Sequence, residues 1–137
     1  MKLGELVRRL GGKAALAPWD PEVRGVAVDS RRVQAGDLFA ALKGSKVDGT
    51  AFIAEAVARG AVAVLTPHEL DHRTVTLQAS GQESVSWVHP EARRTIGLAA
   101  ALMHGSPAKD MRLAGITGTN GKTTTAHFLG ELLERAG

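Results

Sequence analysis

Two groups of residues in this chain have the types and spacing to do chemistry. The first is Gly118-Thr119-Asn120-Gly121-Lys122-Thr123-Thr124. Glycines let a backbone turn with positive φ and approach an anion closely, so that main-chain N–H groups and a helix start converge on it. Lys122 adds a point charge for β- and γ-phosphates, and the Thr123 hydroxyl is a suitable ligand for Mg²⁺. Such a loop holds the phosphates of a nucleotide, with ATP and Mg²⁺ as the expected cofactors. Lys122 is the candidate catalytic residue, while Gly118, Thr119, Asn120, Gly121 and Thr124 complete the cofactor loop. The general phosphate-loop pattern puts a glycine five positions before Gly121, but Ile116 stands there and Gly115 comes one residue too early. What remains is the shorter Gly-x-x-Gly-Lys-Thr, whose competing reading is a glycine turn leading into an ordinary helix.

The second group is His68-Glu69-Leu70-Asp71-His72, which matches His-Glu-x-x-His. On a helix, that spacing puts two imidazoles one turn apart to bind Zn²⁺, with the glutamate activating water. Only a few polar residues separate the group from the next apolar run, and no clear third ligand follows. A solvated connecting loop competes with the zinc-hydrolase reading.

The elements that must position these groups can be read from periodicity. Leu3, Leu6, Val7 and Leu10 recur at helical spacing before Gly11-Gly12. Buried strands are predicted over 23–28 and 38–42, then a helix from Thr50 as N-cap to Gly60 and a strand over 61–65. Further strands are predicted over 74–78 and 84–88, a helix over 90–103, a last strand over 111–117 and a helix over 122–136. Phe128, Leu129, Leu132 and Leu133 on that last helix read as core-facing.

The pattern is α/β. A composition shift at Trp87-Val88-His89-Pro90 places a domain boundary there. A small N-terminal α/β domain is expected over 1–88, followed over 89–137 by the first strand, P-loop and helix of a truncated ATPase domain. One strand, loop and helix cannot form a core alone, so turnover is not expected from these residues by themselves. A stand-alone nucleotide-binding module is the other reading of so short a second part.

Composition narrows the function classes. The chain has 137 residues, 44% of them hydrophobic, and no cysteine, which excludes disulfide frameworks and thiolate metal sites. No signal peptide is evident, and the longest nearly apolar stretch, 96–103, is too short to cross a bilayer of about 30 Å. A cytoplasmic protein without a membrane partner is expected. The 17 basic residues are interspersed with 14 acidic ones, and there are only three Phe and two Trp, so no stripe or stacking platform for nucleic acid is present.

The run Gly115-Ile116-Thr117-Gly118-Thr119-Asn120-Gly121-Lys122-Thr123-Thr124-Thr125 resembles the ATP loop of the Mur ligases, which build the peptide stem of peptidoglycan. Val28-Asp29-Ser30-Arg31, Gly36-Asp37-Leu38-Phe39-Ala40-Ala41-Leu42, Gly44 and Asp48-Gly49 independently resemble that family's uridine-nucleotide-binding N-terminal domain. This domain is shared by the types adding the third residue and the terminal dipeptide. The loop with Thr119-Asn120 is similar to that of the third-residue-adding type. Cyanophycin synthetases carry a similar loop, but the Asp-Ser-Arg region argues against them.

The resemblance implies an ATP-dependent amide ligase joining diaminopimelate or lysine to UDP-MurNAc-L-Ala-D-Glu through an acyl phosphate, acting as a monomer. It implies substrate contacts from Val28, Ser30, Ser45, Lys46 and Val47; Arg31 and Arg32 are candidates to neutralise the diphosphate, with a solvated surface position as the equal competing reading for either. Taken alone, Ser30 reads as a strand-end turn and Lys46 as a solvated lysine. Thr50 stands where the family often has histidine, so that histidine's role is not carried over.

Overall fold

The computed structural model describes residues 1–14, 16, 19–44, 47–70 and 83–136. The predicted strand over 74–78 falls outside them. The described chain forms two compact units, Met1–Ser106 and Pro107–Gly137.

The first unit is built on a five-stranded sheet, in which β2 (Gly25–Ala27), β3 (Asp37–Ala40), β4 (Ala63–Thr66) and β5 (Val85–Val88) run parallel. A short β1 (Lys13–Ala14) pairs antiparallel with β5, giving the order β1-β5-β4-β3-β2. Parallel strands covered by helices are buried on both faces, which is why β4 and residues 38–40 of β3 are buried without a break, whereas β5, Val85-Ser86-Trp87-Val88, alternates between buried and half-buried residues. The faces still divide at period two. Leu38, Ala40, Ala63, Leu65 and Trp87 pack with α1 (Leu3–Leu10) and α3 (Ala92–Met103) through Leu3, Leu6, Ala92, Ile96 and Ala99. Phe39, Ala41 and Val64 turn to the other face and pack against α2 (Ile53–Ala58) through Ile53, Ala56 and Val57.

Burial of Ala92, Ile96 and Ala99 makes α3 part of this unit's core. The compact unit therefore runs to Ser106, past the boundary expected at Val88. The cap of the α2 region also differs from expectation. Asp48, not Thr50, is the capping residue: its carboxylate accepts from the Thr50 N–H at 3.0 Å and the Thr50 hydroxyl at 2.9 Å, opening a 3-10 turn over Gly49–Phe52. These two bonds, the backbone one foremost, hold the Asp48 carboxyl below its ordinary pKa.

In the second unit α4 (Lys122–Ala136) forms as predicted, but residues 112–117 are not in a strand. No ladder partner for them exists among the described residues, and strand propensity without a partner makes no sheet. Phe128, Leu132 and Leu133, expected to face a core, are 62%, 65% and 61% exposed for the same reason. No described helix is long and apolar enough to cross a membrane.

Candidate functional site

The C-terminal ends of β2 and β3 open onto a cleft of about 450 Å³ lined by residues that include Val28, Asp29, Ser30, Val47, Phe52 and Glu55. The carboxyl ends of parallel strands are where α/β sheets bind ligands, because the chain diverges there into loops. Val28, Ser30 and Val47, singled out from sequence, thus share one site. Ser45 and Lys46 lie outside the described residues.

The cleft floor is set by local hydrogen bonding. After β2, Asp29 caps a 3-10 turn over Ser30–Arg32 by accepting from the Arg31 N–H. Arg31 also closes back on Asp29, with Nε 2.9 Å from Oδ1 and Nη2 2.7 Å from Oδ2. Those bonds, the side-chain pair above all, pull the Asp29 carboxyl down to about 2. Arg31 is therefore paired with Asp29 at the cleft, its side chain otherwise exposed. Because the folded pKa lies below the ordinary value, the cap's contribution is complete above the unfolded carboxyl's range and is lost as pH falls through about 2. A ¹³C carboxyl titration is expected to give Asp29 a midpoint near that value, and Arg31→Ala to return it toward about 3.9. A midpoint unmoved by the substitution would remove Arg31 as the cause.

The turn carries Ser30 into a buried position, 6% exposed, where its hydroxyl donates to Glu55 Oε2 at 2.7 Å. The other oxygen of Glu55 accepts from Arg59 Nε at 3.2 Å. Glu55 was not evident as a site residue from sequence. Its position beside the buried stripe Ile53, Ala56 and Val57 was the available signal. The opposite wall is a loop closed by Gly44 N–H to the Val47 carbonyl and Gly49 N–H to the Leu42 carbonyl, both 3.0 Å, and anchored from α3 by Arg93 donating to the Lys43 carbonyl at 2.8 Å. Val28 and Phe52 leave apolar surface exposed at the rim.

The glycine loop lies in the second unit. Gly118 and Gly121 have φ of 148° and 77°, conformations that favour glycine, and the chain enters α4 at Lys122. Lys122 Nζ folds back over the loop, donating to the Gly118 carbonyl at 2.6 Å. The Thr125 N–H and hydroxyl both reach the Gly121 carbonyl at 2.9 Å, fixing the first turn. Thr119, Asn120, Thr123 and Thr124 are exposed around it. A helix start, two positive-φ glycines, an ammonium group and a free-facing threonine hydroxyl form a donor set that fits a Mg²⁺-nucleotide phosphate group.

The His68 group is arranged differently from a zinc site. Pro67–Leu70 leave β4 in a bend with His68 and Glu69 exposed, not in a helix, and His72 lies outside the described residues. Among the described residues no group of three or more His, Asp or Glu side chains could hold a metal ion.

The family model for the Mur ligase family, catalytic domain, matches residues 22–106, more than half of the chain. The chain belongs to the Mur ligase family. The match covers the cleft and ends before the glycine loop. A UDP-N-acetylmuramoyl-L-alanyl-D-glutamate–2,6-diaminopimelate ligase from Syntrophomonas wolfei is 42% identical over all of this chain and 26% of its own length. The chain thus spans about a quarter of the curated Mur relative it matches. Among solved structures, MurF from Acinetobacter baumannii is similar with a TM-score of 0.68 at 26% identity, covering 96% of this chain and 27% of that one. MurF from Thermotoga maritima in complex with ADP is similar with a TM-score of 0.54 at 27% identity, covering 82% and 24%.

Proposed function

We propose that this chain supplies the substrate cleft and the nucleotide loop of an ATP-dependent ligase of peptidoglycan synthesis, one that adds diaminopimelate to UDP-MurNAc-L-Ala-D-Glu in the cytoplasm. The observation carrying this reading is that Val28, Ser30 and Val47 line one cleft at the carboxyl ends of β2 and β3. The named activity of the Syntrophomonas relative supports the choice of diaminopimelate over lysine.

In this reading the cleft docks the uridine end of the substrate, with Ser45, Lys46 and Val47 as the loop over it. Gly118, Thr119, Asn120, Gly121 and Thr124 cradle the ATP phosphates, Lys122 neutralises charge on the transferring group, and Thr123 is the Mg²⁺ ligand. Mg²⁺, when bound, adds electrostatic stabilisation of the phosphoryl oxygens. The phosphoryl group passes to the D-glutamate carboxylate, and the incoming amino group then displaces phosphate from the acyl phosphate to form an amide.

Calorimetric titration of the 137-residue chain with UDP-MurNAc-L-Ala-D-Glu tests the docking part. Saturable binding that weakens at least tenfold in Ser30→Ala is expected, consistent with loss of about 1.4 kcal/mol or more from a buried polar contact. Absence of saturable binding by the unsubstituted chain would sink the reading.

A further inference from the structure

The cleft contains a hydrogen-bond polarity that the motif does not specify. The Ser30 hydroxyl has one proton, and that proton is donated to Glu55 Oε2 at 2.7 Å. A carboxylate only accepts, so the direction of this bond is fixed by chemistry. Arg59, donating to Oε1 at 3.2 Å, holds Glu55 in the orientation that takes the proton. Toward the cleft Ser30 therefore presents lone pairs alone.

Resting on the uridine-docking reading above, we propose that Glu55 is a specificity-determining residue, which turns Ser30 into an obligate acceptor that selects the imide N3–H of a uracil base. Phosphate and carbonyl oxygens, having no proton to give, are refused at this position. The charges agree. Among the described residues the cleft is lined by two carboxylates, Asp29 and Glu55, and one guanidinium, Arg31, already paired with Asp29 at 2.7 Å. Among these described lining residues no cation is left unpaired, an arrangement that tolerates a neutral ring. The walls agree too, because Val28, Leu42 and Phe52 offer apolar surface on which a planar base can rest while its edge reaches Ser30. A cytosine ring carries a lone pair at N3 and would set acceptor against acceptor.

The test is a titration of the 137-residue chain with UDP, CDP and N3-methyl-UDP, followed by protein NMR so that weak binding is measurable. The unsubstituted chain is expected to bind UDP at least tenfold more tightly than either analogue. In Glu55→Gln, Arg59 still donates to the oxygen, which leaves the amide NH₂ facing Ser30. The hydroxyl must then accept from that amide and turn its proton into the cleft. The UDP-to-CDP ratio is expected to collapse by tenfold or more, chiefly through tighter CDP binding, which a merely structural role for Glu55 would not produce. Ser30→Ala, which removes both polarities, is expected to lower UDP binding and bring the ratio near one without improving CDP. An unchanged ratio in Glu55→Gln with native far-UV dichroism would overturn the proposal while leaving uridine docking intact. If Glu55→Gln unfolds, an unchanged ratio in Ser30→Ala overturns it instead. Failure of the unsubstituted chain to bind UDP at all would overturn the docking reading and this inference with it.

Discussion

Trp87→Ala is expected to cost about 3–5 kcal/mol, the largest stability loss of any single truncation in the first unit. The indole is fully buried on β5, between Ala14 of β1 and Leu65 of β4 in the ladder. It packs with Leu3, Leu6, Ile96 and Ala99, so it joins the sheet to both α1 and α3. Its Nε1 donates to the Gly11 carbonyl at 2.9 Å, where α1 ends. Truncation removes the packing, leaves a cavity too enclosed to collapse, and strips that carbonyl of its donor. Domains of this size hold only about 5–15 kcal/mol in total, so the loss is a large share. Urea unfolding followed by far-UV dichroism should show a midpoint lowered by about 1–3 M, with slope unchanged. Dichroism is preferred because Trp87 is one of only two tryptophans and its removal alters fluorescence directly. Trp87→Phe, which keeps most of the apolar contact, should recover more than half of the loss. A cost below about 1 kcal/mol for the alanine variant would contradict the central place given to Trp87.

Sequence and structure part company where a long-range partner decides the outcome. The strands β3 and β4 were legible because burial on both faces leaves apolar runs, β2 and β5 as short apolar-rich segments beside turn residues, and α1, α3 and α4 because of their period or their proline and glycine boundaries. The two-residue β1 was not, since Lys13–Ala14 carries no pattern and exists only through its pairing with β5. Residues 112–117 have the composition of a strand but no neighbour among the described residues, and so form none. The same division runs through the site. Val28, Ser30 and Val47 could be taken from a resemblance carried by short runs of sequence, and the structure brings them to one cleft. Glu55 meets Ser30 across 25 positions of sequence, and a spacing pattern holds no trace of which carboxylate a hydroxyl will meet.

Gly49→Val is expected to abolish most ligand binding in the cleft while leaving the sheet folded. The position is closed by backbone rather than by side chains: a Cβ at Gly49 would lie 2.6 Å from the Leu42 carbonyl oxygen and 2.7 Å from the Leu42 nitrogen. Neither atom can swing aside as a flexible side chain would. The Gly49 N–H to Leu42 carbonyl bond, 3.0 Å, must therefore open, and with it the bridge between Lys43 and Asp48 that closes the loop carrying Val47. Overpacking of this kind costs about 1–3 kcal/mol, which the core centred on Trp87 can absorb. The cleft cannot, because Leu42, Gly44, Val47 and Gly49 all line it and would move together. UDP affinity should fall at least tenfold, equivalent to about 1.4 kcal/mol or more. Gly49→Ala places the same Cβ against the same atoms and should lose nearly as much, whereas an effect that grew with side-chain size would point to simple steric filling of the cleft. Retention of full affinity in both variants would mean that the loop is free to shift without altering the site.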